Sequence, residues 1–278
     1  MSTVLRRLLP VAFALLLAVP VGGATPGPVA AADLTLAGAE KEMVRLLNVE
    51  RTKKGLVALQ VDSRLTTIAR ARSVDMATKH YFSHTQPDGR NVFDLLNAAK
   101  VVWYGAGEII AWNNWPTLAD SAVQAKNGWM GSTGHRNIVL STSYNYVGIG
   151  LAVEAGTGKK LWTGVFIKGP DRTGGWVSYK AVAETASDLT STATTSAYRY
   201  VTVSWSGGDI RLVVLTAGFK RYQIQVRTDL GEWKWFSTGT TSTSRTIRLW
   251  KGHNYTVRVR ACDKADNCGY WVNQALEG

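Results

Sequence analysis

Residues Gly128 to Gly150 read GWMGSTGHRNIVLSTSYNYVGIG, and three different jobs follow one another along them. Trp129 and Met130 end a helical pattern. Gly134-His135-Arg136-Asn137 sets a polar cluster behind a glycine. Tyr146-Val147-Gly148-Ile149-Gly150 then opens a strand whose glycines mark a place where another element must come close. A single histidine is usually structural. His135 has two distant partners to weigh, His84 and Glu108, each in its own short polar context.

Working outward toward the N-terminus, apolar residues at helical spacing predict a helix over Leu36–Lys54, stopped by Gly55. Asp62 or Ser63 caps a second helix, with Leu65, Ile68, Ala69, Arg72 and Met76 on its inner side, running to Lys79. Pro87-Asp88-Gly89 is a turn. Asn91 caps a short helix bearing Val92, Phe93, Leu95 and Leu96. The stretch from Val101 to Asn114, with Gly105-Ala106-Gly107-Glu108, is a strand candidate. Thr117 caps a helix from Leu118 to Met130. Working outward the other way, Tyr146–Glu154 and Lys160–Lys168 form a hairpin around Ala155-Gly156-Thr157-Gly158. Helices followed by a strand pair imply a mixed α+β layered domain of about 135 residues.

The composition changes after Gly169. Pro170 to Trp176 is rich in turn residues, and Thr185 to Ser196 is dominated by Thr, Ser and Ala, which is linker chemistry. From Tyr198 the pattern alternates: Tyr222, Ile224 and Val226, then Tyr255, Val257, Val259 and Ala261. Turn residues recur between these runs, as in a small β-sandwich. The expected organisation is a removed leader over 1–32, a first domain over 33–170, a linker over 171–195 and an all-β domain over 196–278.

The leader reading rests on Arg6 and Arg7, the apolar run Leu8–Val21 and Ala30-Ala31-Ala32 before Asp33. An apolar run of about 14 residues is short against the roughly 20 that span a bilayer. The expectation is a secreted protein with no transmembrane segment once the leader is removed. Cys262 and Cys268 are the two cysteines, and export favours a disulfide between them. The formal charge of +12 favours anionic surfaces in general. The basic residues are scattered in pairs such as Lys53-Lys54 and Lys159-Lys160, which argues against specific nucleic-acid binding.

Tyr81-Phe82-Ser83-His84, Gly107-Glu108, Trp129, Gly134-His135-Arg136-Asn137-Ile138 and Val147-Gly148-Ile149-Gly150, in that order, resemble the CAP superfamily of cysteine-rich secretory, antigen and pathogenesis-related proteins. The match is to its disulfide-free bacterial branch and covers Leu36 to Gly169. It implies a three-layer α-β-α sandwich with an open cleft. In many members two histidines and one or two acids line that cleft and can bind a divalent metal. His84, Glu108 and His135 match three of these positions, so the resemblance implies a weak site for a cation such as zinc. Two departures weaken that site. Ile109 stands where members usually carry Asn, and Ser132 stands where many eukaryotic members carry a second acid. A second resemblance, carried by Val201–Trp205, Tyr222–Arg227 and Tyr255–Ala261, is to a fibronectin type III-like module, which implies an immunoglobulin-like sandwich that binds or spaces.

Two neutral imidazoles and a carboxylate are a donor set for zinc with one position left for water. The alternative is that the histidines serve backbone or Glu108 with no metal. Neither a G-x-S-x-G nor an H-E-x-x-H pattern is present, so no catalytic residue is assigned. The leading expectation is non-catalytic binding of a small lipid, peptide or cell-wall fragment. A metal-assisted hydrolase and a non-catalytic wall-binding platform are the alternatives. Trp103, Trp112 and Trp115 are read as packing residues first, as are Trp233, Trp235 and Trp250, and His80 and His253 as surface residues without partners.

Overall fold

The structure is a computed structural model that describes residues 33–185 and 197–278. The expected leader, 1–32, lies outside them. Among the described residues no helix is long and apolar enough to cross a membrane. In chain order the elements are α1 (Leu36–Thr52), β1 (Gln60–Val61), α2 (Ser63–Thr78), α3 (Val92–Ala98), β2 (Gly105–Asn113), α4 (Leu118–Gly131), α5 (Thr133–Val139), β3 (Tyr146–Val153) and β4 (Lys160–Lys168). Then come β5 (Trp176–Thr185), β6 (Tyr198–Gly208), β7 (Phe219–Thr228), β8 (Lys234–Thr240), β9 (Ser244–Trp250), β10 (Asn254–Asp263) and β11 (Val272–Glu277).

The first nine elements build one sheet, ordered β1-β3-β4-β2, with helices on both faces. Alternation along β3 sends Val147, Ile149 and Leu151 into a core with Met43 and Leu47 of α1 and Trp129 of α4. Gly148 and Gly150 point the other way, at α2. A Cβ on either would sit 2.2 Å from α2 backbone atoms, so only glycine lets the helix seat there. The helices start where the sequence offers caps. Asp62 accepts from Arg64 N, Asn91 and Asp94 form a reciprocal capping box, and Thr117 accepts from Asp120 N. A helix absent from the sequence reading, α5, carries His135. Ser132 sits in extended conformation and ends α4 and starts α5 at once, so the chain turns sharply there.

The remaining strands form two facing sheets, β5-β6-β9 and β11-β10-β7-β8. Between them lie Val203, Trp205, Tyr222, Ile224, Leu249, Val257 and Val259, all buried. Cys262 and Cys268 are disulfide-bonded, closing the loop that leads from β10 toward β11.

Two findings depart from the expected organisation. The stretch 171–195 contains strand β5, paired antiparallel with β6 from Trp176↔Gly208 to Thr185↔Tyr200. It is an edge strand, with Val177 and Tyr179 packed inward and Val182 exposed, so its alternation is weak in sequence. Residues 186–196, the Thr/Ser-rich remainder, lie outside the described residues. The halves also share a packed junction, and residues 33–278 form one compact unit. Leu212, in the loop between β6 and β7, is buried in the cluster of Leu65, Ile68, Val92 and Tyr146. Asn145 Nδ2 donates to the Val214 carbonyl at 3.2 Å, and Arg172 Nη2 reaches Asp62 Oδ2 at 2.8 Å.

Candidate functional site

Edge strand β2 presents Glu108 toward α2. Arg72 of α2, whose side chain is 0% exposed, donates through Nε to Glu108 Oε1 at 2.9 Å. Its other nitrogens donate to Tyr81 Oη and to the Ser83 carbonyl, each at 2.7 Å. Tyr81 Oη donates in turn to Asp75 Oδ2 at 2.6 Å. At the solvent end His84 Nδ1 lies 2.7 Å from Glu108 Oε2, with the imidazole half exposed. A continuous polar relay therefore runs from His84 through Glu108, Arg72 and Tyr81 to Asp75.

The relay is electrostatically balanced. Burial alone would lower the Arg72 pKa, but Glu108 and Tyr81 outweigh it and hold it above the ordinary arginine value. Tyr81 is pushed up to about 12 by burial and by its bond to Asp75. Burial would raise Asp75 too, yet hydrogen bonds from Lys79, Tyr81 and Gln86 bring it down to about 2. His135, half-buried on α5, titrates below the ordinary histidine value, first through burial and then through the charge of His84 nearby. So the structure joins His84 to Glu108 directly and sets His135 within electrostatic reach of His84.

Of these residues His84 and Glu108 border a cleft of about 330 Å³ along the edge of β2. His84 and Glu108 form its polar end. Val92, Phe93, Ala106, Ile138 and Tyr144 form its apolar walls. Tyr144 Oη donates to the Ala106 carbonyl at 3.0 Å, which satisfies the strand edge inside the cleft. At Gly107 a Cβ would sit 3.1 Å from Tyr144 Oη and 3.4 Å from Ile138 Cδ1, so glycine keeps the floor open. Phe93 is exposed and lies 5.9 Å from the Trp103 ring, forming an aromatic rim.

The donor set fits a divalent ion only in reduced form. Both Glu108 oxygens are engaged, one by a buried guanidinium and one by His84. Ligation by Glu108 would have to share an oxygen with Arg72 or replace the contact to His84. Among the described residues the three-member groups with ligand atoms within 4.8 Å of one another reduce to Asp171, Asp209 and Asp263, which lie elsewhere. In this arrangement Glu108 orients His84 through Nδ1, leaving Nε2 outward, the relation in which a carboxylate supports a metal-bound imidazole.

Arg72 and Tyr81 are the functional residues that pattern reading missed. An arginine among the inner positions of α2 was the available signal, since a buried charge must be paired. Other expectations are corrected by exposure and contacts. Trp112 and Trp115 are exposed rather than packed, and Trp112 takes the Lys159 ammonium 5.2 Å from its ring. His80 and His253 have carboxylate partners, Glu154 at 3.0 Å and Asp229 at 2.8 Å.

The chain is similar to known proteins over its first half. Residues 44–166 match the family described as the CAP, cysteine-rich secretory protein family. Over 128 residues the chain is 39% identical to the Bacillus subtilis protein described as uncharacterized protein YkwD, covering 46% of each chain. Over 129 residues it is 35% identical to the B. subtilis uncharacterized membrane protein YlbC, covering 46% of this chain and 34% of that one. The chain thus spans less than half the length of these curated relatives. A solved extracellular protein containing an SCP domain from Bacillus anthracis is similar at 28% identity and a TM-score of 0.42, over 50% of this chain and 45% of that chain. The segment built around β2 and the relay is a CAP domain with bacterial homologues.

Proposed function

We propose that the protein is exported and that its CAP domain binds a small amphipathic ligand, a lipid, peptide or cell-wall fragment, without turning it over. The observation that carries this reading is the cleft on the β2 edge, where apolar walls run directly into a polar relay. A ligand's apolar part would lie on Val92, Ala106, Gly107, Ile138 and Tyr144, displacing water from surface that gains by burial. An anionic head would meet His84 Nε2 and His135. Binding is favoured over hydrolysis because, among the described residues, neither imidazole is hydrogen-bonded to a hydroxyl that could serve as nucleophile. A divalent ion such as zinc, where present, would be held by His84 and His135, with Glu108 orienting His84, and would add a Lewis-acidic position for an anionic oxygen. Two protein ligands imply micromolar or weaker affinity, at most about 8 kcal/mol. The second half supports a reading as a fibronectin type III-like spacer, on its division into three strands facing four.

A fluorescent medium-chain fatty acid is the first probe. The expected result is saturable binding, reduced at least tenfold by Gly107→Val, which fills the floor, and by His84→Ala, which removes the polar end. Absence of saturable binding by this probe and by any co-purifying compound found by mass spectrometry would overturn the reading. So would unchanged binding in both variants.

A further inference from the structure

The outward face of the sheet β11-β10-β7-β8 gathers arginines against tryptophan rings. Alternation along β10 buries Tyr255, Val257, Val259 and Ala261, and turns Arg258 and Arg260 outward. Register places Gln225 opposite Arg258, Gln223 opposite Arg260 and Arg227 opposite Thr256, so all share that face. Trp235 lies opposite Gln225.

The side chains on this face form one stack. The Arg227 guanidinium lies 4.6 Å from the Trp233 ring centre, and the Arg258 guanidinium lies 3.9 Å from that same ring. Arg258 also lies 4.7 Å from the Trp271 ring, whose other neighbour is Arg260 at 4.5 Å. Trp235 packs against Trp271 at 5.9 Å and is exposed.

The stack holds guanidiniums but does not neutralise them. Among the described residues no carboxylate pairs with Arg227, Arg258 or Arg260. Arg258 and Arg260 donate instead to the neutral Oε1 atoms of Gln225 and Gln223. Arg227 Nε is buried without a partner. Burial, with the like charges of Arg227 and Arg260, holds the Arg258 pKa below the ordinary value, as burial and Arg221 do for Arg260. Indole faces fix the planes of the guanidiniums, so the rotamer freedom that anion binding usually removes is already gone. The N–H groups not donated to Gln225 and Gln223 are then set to grip anionic oxygens.

We propose that this arginine–tryptophan face binds an anionic polysaccharide, the ordered guanidiniums taking its charged groups and the exposed Trp235 taking the apolar face of a sugar. Arg258 and Arg260 are two residues apart on one strand, so their positions repeat at about 7 Å, suited to charges repeated along a polymer. Single-stranded nucleic acid is a poorer occupant. It relies on open aromatic faces for base stacking, and Trp233 and Trp271 have guanidiniums against their rings. The face lies in the β-sandwich, so the inference stands apart from the cleft reading.

The test uses the full chain with dextran sulfate, neutral dextran, oligo(dT) and phosphatidylglycerol vesicles as probes. Dextran sulfate is expected to bind, with dextran silent and oligo(dT) and vesicles at least tenfold weaker. Arg258→Gln with Arg260→Gln should weaken dextran sulfate at least tenfold and flatten its salt dependence. Lys41→Gln with Lys54→Gln, which removes the same charge from the CAP half, should change it less than twofold. Arg258→Lys with Arg260→Lys keeps the charge and loses the planar fork, and should weaken binding three- to tenfold. It also serves if the glutamine variant does not fold. Equal effects of the two charge-removing variants, wild-type binding by the lysine variant, or tighter binding of oligo(dT) or vesicles would each overturn the proposal.

Discussion

Arg72 is fully buried and Arg258 only partly covered on an outer face, and they keep opposite company. Arg72 meets the Glu108 carboxylate at 2.9 Å, a tyrosine hydroxyl and a carbonyl, and nothing of its charge is left over. Arg258 meets two indoles and an amide oxygen, and its nearest charges have its own sign. The same contrast recurs elsewhere, although Arg51 of α1 is buried against carbonyls alone and Asp266 in the sandwich is matched by Lys220 and Arg221. Around the CAP domain carboxylates are matched by arginines: Glu40 by Arg70, and Asp62 by Arg64 and Arg172. In and beside the sandwich like charges gather, arginines on the outer face and Asp171, Asp209 and Asp263 at the junction. Matched charges spend their field on architecture. Gathered charges keep theirs, either for a partner or as a standing cost.

The largest effect is expected where matching is complete. Arg72→Met leaves Glu108 buried without its cation, which costs about 3–5 kcal/mol. Chemical denaturation should register that loss, whereas Arg258→Met should change stability by less than about 1 kcal/mol because only exposed-face stacking goes. Similar losses in the two variants would dissolve the contrast.

Asp62 sharpens it at the junction. Its carboxylate caps α2 and binds Arg64 and Arg172. Burial pushes its pKa up, but the arginines and the Arg64 amide outweigh burial and hold it below the ordinary value. A depressed folded-state pKa means stability that is present above the ordinary value of about 3.9 and lost as pH falls through the folded one. Asp62→Asn keeps a competent cap and loses the charge, so it should cost about 1–2 kcal/mol at pH 7. The gap from wild type should close below about pH 4. A gap that persists there would show that shape, not charge, is what Asp62 supplies.

Much of the CAP half was legible because its signals are local. Helical spacing, the caps at Asp62, Asn91 and Thr117, and the glycines of β3 each act within a few residues. His84 and Glu108 were legible as a pair only through the resemblance, since nothing local links positions brought to 2.7 Å by folding. Arg72 was visibly inward on α2, but its partners come from β2 and the segment after α2. Strand β5 was lost because an edge strand shows its pattern only against β6. Leu212 was lost because a loop's docking site is a property of the other half. The arginine–tryptophan stack needed the register of four strands before its members became neighbours.

The smallest predicted effect has the opposite sign, and it comes from the crowded carboxylates. Asp209 accepts from Gly218 N through Oδ2, while Oδ1 is buried without a partner. Burial first, and then the charges of Asp171 and Asp263, raise its pKa above the ordinary value. A raised folded-state pKa in an acid means that ionisation costs the folded state. That cost is absent below the ordinary value of about 3.9 and grows as pH rises through the folded value. Asp209→Asn keeps an oxygen for Gly218 N and puts an N–H₂ where the unpartnered oxygen was, facing two carboxylates. It should therefore stabilise the protein, by about 1 kcal/mol at pH 7 in chelator-containing buffer, since an unsatisfied buried acceptor costs about 1–3 kcal/mol. Denaturation series for wild type, Asp62→Asn and Asp209→Asn should run as three separate curves at neutral pH, the Asp209→Asn curve meeting wild type from above as pH falls to about 4 and the Asp62→Asn curve from below only at still lower pH. If Asp209→Asn is less stable than wild type at pH 7, the carboxylates at the junction are not in conflict, and the division between matched and gathered charge fails on the acidic side.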